Sequence, residues 1–208
     1  MSDIIIDEEF RNLLPALDSE RYAMLEESLL QFGCVYPLVL WNGILIDGYT
    51  RHRIAMEHGI PFTTIEKEFG CRDEVLIWIV SAQISMRSLS DIHLSYLRGL
   101  HYIADRRKHG LGDRLSDDSE KAQNEPLQDS SASRSARLAK LYNVSPSTIK
   151  REAEVAEAIC LIVQISPLAK RKILSKAIRV TRTLLRELLT WEEEDVQKFT
   201  ISIEEGIL

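Results

Sequence analysis

The chain has 208 residues, of which 45% are hydrophobic and 28% are charged, as is ordinary for a soluble globular protein. Its N-terminal stretch lacks a basic region followed by a long apolar run, so we expect a cytoplasmic protein without signal peptide or membrane span. The three cysteines form no CxxC pair and the five histidines no HExxH pattern, so neither disulfides nor a metal site are indicated.

The charges are segregated along the chain. Residues 1–30 hold eight acids against two Arg, residues 134–188 hold twelve Lys and Arg against four Glu, and residues 191–208 hold six acids against one Lys. A basic block attracts nucleic acid locally even where the net charge of the whole chain is −6. The charge pattern therefore favours a nucleic-acid partner for residues 134–188.

The first part of the chain alternates helical and strand patterns. Apolar spacing predicts a helix over residues 19–32, and two β-rich runs around Asn42-Gly43 predict a hairpin with a type I′ turn. A short helix over 51–58 and a strand within 61–69 follow. The stretch IDGYTRHRIA, residues 46–55, therefore joins a strand to a helix in a compact α/β unit.

Two further helices precede a polar segment. Asp73 is suited to cap a helix through EVLIWIVSAQI, and Ser90 to cap another through DIHLSYLRGLHYIADRRKH. Residues 112–133 hold only four apolar residues and no aromatic residue, so they cannot bury enough surface to become ordered. We predict a linker there.

Residues 135–159 carry a helix-turn-helix pattern. An apolar stripe that includes Leu138 is followed by a turn at residues 142–144, and Ser145-Pro146 then opens a second helix. Hydroxyls and cations at the start of that helix suit phosphates and base edges of a major groove. A helical hairpin with a solvated basic face is the alternative. The expected DNA contacts are Arg134, Arg137, Lys140, Ser145, Ser147, Thr148, Lys150 and Arg151.

The rest of the chain reads as amphipathic helices that support the helix-turn-helix. Its cations fit phosphate contacts and a solvent face equally well; they are Lys170, Arg171, Lys172 and Lys176. The predicted organisation is a small α/β domain at 1–88, a bridging helix at 89–110, a disordered linker at 111–133 and an all-α DNA-binding domain at 134–208.

In their order along the chain, these features resemble the ParB family, from about residue 4 to the end. LEESLLQFGCVYPLVLW resembles the family's helix, Gly and Pro-started strand, and IDGYTRHRIA occupies the place of its Gly-Glu-Arg-Arg motif. AQISMRSLS is similar to its Glu-Asn-x-Gln-Arg motif, and LAKLYNVSPSTIKR to its helix-turn-helix. The resemblance implies an α+β fold: a small ParB/sulfiredoxin-like α/β N-terminal domain followed by an all-α helix-turn-helix domain.

The resemblance also implies a function in partition. The expected protein is a clamp-forming binder of double-stranded DNA that binds CTP with Mg²⁺, forms a homodimer and acts with a partner ATPase. The short form of the chain looks more like the divergent ParB-like proteins of plasmids, phages and mobile elements. The residues that the resemblance places at the nucleotide are Gly48, Thr50, Arg51, Arg53, Gln83 and Arg87.

The chain departs from the family's motifs at four positions. Tyr49 and Thr50 stand where the family has Glu and Arg, and Ser81 and Ala82 stand where it has Glu and Asn. Enzymatic activity would be at most a weak CTPase, and no catalytic residue is assigned.

Other uses of the IDGYTRHRIA turn stay open. A sulfiredoxin-like enzyme needs a nucleophilic Cys directly after Gly48, where this chain has Tyr49. A small-molecule kinase of the same superfamily fits the Asp-Gly-x-x-Arg turn loosely. A sequence-specific transcriptional regulator that has lost the nucleotide is the third alternative. In it, the arginines of the turn are solvated or paired with Asp47 and Glu57.

Overall fold

The computed structural model of the protein describes residues 4–13, 17–86, 89–115 and 131–207. The chain divides into two compact units, Met1–Ile79 and Val80–Leu208. The elements of the first unit are α1 (Glu8–Arg11), α2 (Ser19–Phe32), β1 (Leu38–Trp41), β2 (Ile44–Asp47), α3 (Tyr49–His58), β3 (Thr64–Glu66) and the first part of α4 (Arg72–Met86).

The first unit is built on a three-stranded sheet in the order β2-β1-β3. Strands β1 and β2 form the predicted antiparallel hairpin, whereas β3 pairs with β1 in parallel. Asn42 and Gly43 both have positive φ, at 49° and 77°, as a type I′ turn requires. Leu38, Leu40 and Leu45 form the buried core cluster of the sheet.

Helix α3 begins earlier than the sequence predicts. It starts at Tyr49 rather than at Arg51, directly after Gly48, which is its N-cap residue. Strand β3 is shorter than predicted and covers three residues of the 61–69 run. The turn between β2 and α3 is therefore a single residue, and that residue must adopt a left-handed conformation.

The second unit is helical in the residues that the structure describes. Besides the end of α4, its elements are α5 (Asp91–Leu115), α6 (Ser131–Tyr142), α7 (Pro146–Ile165), α8 (Pro167–Leu174), α9 (Arg182–Leu188) and α10 (Glu193–Glu205). Helices α5, α6 and α7 share a core made of Tyr102, Leu138, Ala139, Ile149 and Ala153. Helix α5, predicted as a bridge, thus packs inside this unit.

Gly99 marks the crossing of α5 and α7. A Cβ atom built on Gly99 would lie 2.0 Å from the carbonyl oxygen of Glu152 and 2.7 Å from the Cβ of Ala156. A methyl group cannot fit at such distances, so the two helices approach this closely only because position 99 is glycine.

The α+β fold is as predicted. The linker prediction falls mostly on residues 116–130, which lie outside the described residues, while α5 extends to Leu115 and α6 begins at Ser131. None of the helices in the described ranges is long and apolar enough to cross a membrane.

Candidate nucleotide turn and DNA interface

The turn between β2 and α3 has the backbone geometry that only glycine adopts without strain. Gly48 has a φ of 96°, and a Cβ atom there would lie 2.6 Å from Cδ2 of Leu38. Gly48 is the N-cap residue of α3. Since glycine has no side chain, it cannot accept hydrogen bonds from the amides that begin the helix. The start of α3 thus keeps the partial positive charge that suits an anion.

Arg51 folds back against this turn. Its Nη2 donates to Oδ2 of Asp47 at 3.0 Å and to the carbonyl oxygen of Pro37 at 3.4 Å. The side chain of Arg51 is 25% exposed and that of Asp47 is 42% exposed. A phosphate at the turn would have to compete with Asp47 for this guanidinium group, which is the pairing expected if the turn is structural.

Arg53 is also engaged inside the first unit. Its guanidinium carbon lies 4.5 Å from the ring centroid of Tyr22, and its Nε lies 3.8 Å from Oε1 of Glu57. Thr50, three positions before Arg53, is half-buried. The arginines of the turn therefore have the partners Asp47 and Glu57 that the sequence suggested for a turn without a ligand.

Tyr49 has a structural task at the position where the ParB family has Glu. Its hydroxyl donates a short hydrogen bond to the carbonyl oxygen of Leu45 in β2. Burial raises the pKa of Tyr49 well above its ordinary value, and the nearby carboxylates of Asp7 and Glu8 add to the shift. The phenol thus ties the start of α3 to the hairpin.

The other two residues predicted at the nucleotide do not belong to the first unit. Gln83 belongs to the part of α4 in the second unit, where it is 6% exposed. Its Oε1 has no hydrogen-bond partner among the described residues. Arg87 lies outside the described residues. Of the predicted set, Gly48, Thr50, Arg51 and Arg53 lie on the β2–α3 turn and the start of α3, and the guanidinium of Arg53 contacts Tyr22 and Glu57.

The turn between α6 and α7 is held by local chemistry. Asn143 has a φ of 52°, and the amide of Val144 donates to the carbonyl oxygen of Ala139 at 3.0 Å. Ser145 is the N-cap residue of α7, because its Oγ accepts a hydrogen bond from the amide of Thr148 at 3.1 Å. Pro146 follows in the first turn. A short turn therefore joins α6 to α7 at the residues where the sequence predicts a helix-turn-helix.

Three cations of this motif are free to meet a polyanion. Lys140 near the end of α6 and Lys150 and Arg151 in the first turns of α7 are exposed. They form no ion pair with any residue that the structure describes. Arg137 is 56% exposed, but its Nη2 lies 2.5 Å from Oδ2 of Asp105. Lys140, Lys150 and Arg151 are consequently the strongest candidates for phosphate contacts.

The expectation for Arg134 is corrected by the structure. Its side chain is 9% exposed, and its Nε lies 3.4 Å from Oδ2 of Asp105, itself buried on α5. Position 134 is one helical turn before Leu138 and shares its inward face. Arg134 therefore links α6 to α5 as an internal ion pair and is too buried for a phosphate contact.

The hydroxyls at the start of α7 bond to one another. The Oγ of Ser145 lies 2.9 Å from Oγ of Ser147 and 2.8 Å from Oγ1 of Thr148. Ser147 is exposed, while Thr148 is half-buried. Ser145 thus acts first as a helix cap, and Ser147 is the most accessible hydroxyl of the three.

Glu152 is a buried residue of α7 that bonds to α5, a role that the sequence did not suggest. It is 4% exposed and accepts hydrogen bonds from Oγ of Ser95 at 3.2 Å and Nη1 of Arg98 at 3.4 Å. Burial raises the pKa of its carboxyl group, and Arg98 opposes that shift. In the sequence, the signal for the close crossing of α5 and α7 at Glu152 is Gly99, a glycine inside the helical pattern of α5.

Two of the later cations also have structural partners. Lys170 is buried, with its Nζ 4.8 Å from the ring centroid of Tyr96, and Nζ of Lys172 donates to the carbonyl oxygen of Glu204 at 2.7 Å. Arg171 and Lys176 are exposed. This exposure is compatible both with contacts to DNA phosphates and with a face that is only solvated.

Comparison with solved structures defines the class of fold. Two structures of a pNOB8-like ParB N-domain superimpose with TM-scores of 0.52 and 0.51, at 18% and 20% sequence identity. They cover 96% and 99% of this chain, which in turn covers 94% and 92% of theirs. At such identities the likeness establishes the fold alone. The chain has a ParB N-domain-like fold, which confirms the resemblance at that level.

Sequence comparison adds one relative. Over 104 residues the chain is 27% identical to the uncharacterized protein ORF326b of the Acidianus two-tailed virus. The match covers 47% of this chain and 31% of the viral protein, so this chain spans about a third of that relative's length. No protein-family model matches the chain.

Proposed function

We propose that the chain is a ParB-like protein that binds double-stranded DNA through α6 and α7. Its role would be partition of a plasmid or chromosome, or maintenance of a mobile element. A homodimer and a partner ATPase belong to this proposal through the ParB-like resemblance. The observation that carries it is the basic start of α7, where Lys150 and Arg151 are exposed and form no ion pair with a described residue.

The surroundings of α7 suit a recognition helix. Its first turn is capped by Ser145 and its position is set by the buried residues Ile149 and Glu152. The outward residues near its start are polar or cationic, as helices in a major groove usually are. The buried side of α7 is thus used for packing on α5, and the exposed side is left for the DNA.

Ion pairs within the protein distinguish a DNA-binding surface from a basic face that is merely solvated. Cations on solvated helices commonly pair with acids one turn away. In this chain Arg137, Arg106 and Arg186 pair instead with an acid on another helix, Asp105, Glu157 and Glu154 respectively. Lys140, Lys150 and Arg151 do not, within the described residues, so their charges favour an external anion.

The test is the salt dependence of DNA binding. Each phosphate contact contributes about 0.9 to the slope of log K against log salt, so replacing three contacts lowers the slope by about 2.7. At about 0.1 M salt this corresponds to roughly a 500-fold loss of affinity for a nonspecific duplex. Lys140→Ala/Lys150→Ala/Arg151→Ala is the variant, and fluorescence anisotropy of a labelled duplex gives both quantities.

Lys198→Ala is the matched control. Lys198 is an exposed cation of α10 that pairs with Glu194 at 2.7 Å, outside the helix-turn-helix. We expect the control to bind DNA as the wild type does. An unchanged slope in the triple variant, with circular dichroism showing that it is folded, would remove α7 as the DNA-binding helix.

We also propose that the Gly48 turn binds the triphosphate of CTP. The support is the left-handed backbone of Gly48 at an uncapped helix start, with Arg51 within reach of the same turn. Binding requires the guanidinium of Arg51 to leave the carboxylate of Asp47, 3.0 Å away, and to bind phosphate oxygens instead.

Calorimetric titration of the four ribonucleoside triphosphates with Mg²⁺ tests this second proposal. We expect CTP-selective binding that is lost in Arg51→Ala and kept in Arg21→Ala, an exposed arginine of α2 in the same unit. Silence with all four nucleotides would instead make the turn structural and the chain a DNA-binding regulator without a nucleotide.

A further inference from the structure

Three potential metal ligands meet between α2 and α3 on the first unit. They are Glu26 in α2 and Glu57 and His58 in the last turn of α3. One ligand atom from each lies within 4.8 Å of the others, and Nε2 of His58 is 2.7 Å from Oε1 of Glu26. Glu26 lies 31 positions before Glu57 and 32 before His58, so only the folding of α2 against α3 brings it to them.

The carboxylate of Glu57 is oriented from outside this trio. The hydroxyl of Tyr22 donates to Oε2 of Glu57 at 3.2 Å, and Nε of Arg53 lies 3.8 Å from its Oε1. The guanidinium of Arg53 also stacks over the ring of Tyr22. Such outer partners are typical of carboxylates that bind metal ions, because they fix the carboxylate before the ion arrives.

The position at the end of α3 also favours a cation. Helix α3 ends at His58 with Gly59 as its C-cap residue, so the negative end of the helix dipole lies beside Glu57 and His58. Two carboxylates against the one guanidinium of Arg53 leave an excess of negative charge around the trio. The carboxylates are themselves proposed ligands, and the helix dipole adds to their attraction for a positive ion.

We propose that Glu26, Glu57 and His58 bind one divalent transition-metal ion of the Zn²⁺ class, with water completing the coordination. One imidazole nitrogen and two carboxylate oxygens select such ions over Mg²⁺ and Ca²⁺, which take oxygen ligands only. Bonds of about 2.0–2.2 Å place tetrahedral ligand atoms about 3.3 Å apart. The 2.7 Å pair must open slightly and the widest pair must close, which partly exposed side chains accomplish by small rotations.

The bound ion would join α2 to the end of α3. Helix α3 begins at the Gly48 turn, so a metal clip at His58 would hold the helix whose other end lies at the candidate phosphate site. The site is nevertheless independent of the proposed function, because no DNA or nucleotide contact enters its ligand set.

Calorimetric titration of the full chain with ZnCl₂, under reducing conditions, tests the proposal. We expect one ion per chain, with binding at least about tenfold weaker in both Glu26→Gln and His58→Ala. Glu27→Gln, the exposed neighbour of Glu26 on α2, is the matched control and should bind as the wild type does. Thermal unfolding gives a second readout: Zn²⁺ should raise the midpoint of the wild type and of Glu27→Gln only.

Two results would overturn the metal site. One is the absence of Zn²⁺ binding by the wild type above the buffer blank. The other is equal Zn²⁺ binding by Glu26→Gln, His58→Ala and Glu27→Gln, which would place the ion elsewhere on the chain. Glu26→Gln keeps the size and polarity of the side chain, so it stays informative if His58→Ala fails to fold.

Discussion

Acid should weaken the helical unit through one buried histidine. His101 on α5 is 7% exposed, and its Nδ1 lies 2.5 Å from the hydroxyl of Tyr142 at the end of α6. Burial lowers the pKa of His101 to about 4, with Asp105 opposing the shift and Arg137 adding to it. In the unfolded chain the same imidazole has its ordinary pKa of 6.5.

The sign of the effect follows from proton binding. Between pH 6.5 and about 4, the unfolded chain binds a proton at this histidine that the folded chain does not. The stabilisation is therefore fully present above pH 6.5 and is lost as the pH falls towards 4. The full difference corresponds to about 3 kcal/mol, and about 2 kcal/mol of it should be lost between roughly pH 7.5 and pH 5.

Urea unfolding followed by helical circular dichroism measures this loss. His101→Gln removes the titration, so its free energy of unfolding should fall by about 2 kcal/mol less than that of the wild type over the same pH interval. Tyr142→Phe is the matched variant: it removes the hydroxyl and costs about 1 kcal/mol, but it leaves His101 buried and the pH dependence intact. If wild type and His101→Gln lose the same stability on acidification, His101 is not the titrating group.

Two further substitutions test the crossing of α5 and α7. Gly99→Ala should lower the free energy of unfolding by about 3 kcal/mol or more, because its methyl group would lie 2.0 Å from the carbonyl oxygen of Glu152. Thermal unfolding measures the change, and unchanged stability would contradict so close an approach. Glu152→Gln removes a buried carboxyl whose raised pKa makes the folded wild type less stable as the pH rises above 4.5. Because His101 acts in the opposite direction in both proteins, urea unfolding from about pH 4 to 8 should show stability rising more with pH in Glu152→Gln than in the wild type. Equal pH dependence in the two proteins would contradict the buried state of this carboxyl.

The interior of the helical unit explains why stability and DNA binding are coupled in these predictions. Glu152 lies on the inner side of α7, where Ser95 and Arg98 of α5 donate hydrogen bonds to it, while Lys150 and Arg151 lie outward near the start of α7. A change that separates α5 from α7 therefore displaces the proposed recognition helix. Stability and DNA affinity should fall together in Gly99→Ala, whereas substitution of the exposed cations should change affinity alone.

Local chemistry in the sequence was enough to predict the main elements. Asn42-Gly43 predicted the hairpin because both residues tolerate positive φ, and Ser145-Pro146 predicted the start of α7 because a hydroxyl cap and a fixed φ favour a helix start. Gly48 was recognised as a turn, but α3 begins two residues before the predicted start because glycine itself takes the N-cap position. These signals act within a few residues and are readable in sequence.

The partners of charged side chains were decided by the tertiary structure. Arg134 and Arg137 are the same residue type three positions apart, yet one is buried and the other exposed, because Asp105 and the packing of α5 select the inner position. Glu26 and His58 likewise become neighbours only when α2 packs on α3. The sequence by itself determined the turn between α6 and α7 and the Gly48 turn, since local conformational preferences produce them. Which cations remain free for DNA, and which acids meet a histidine, depends on contacts between residues distant in the chain, which no local preference encodes.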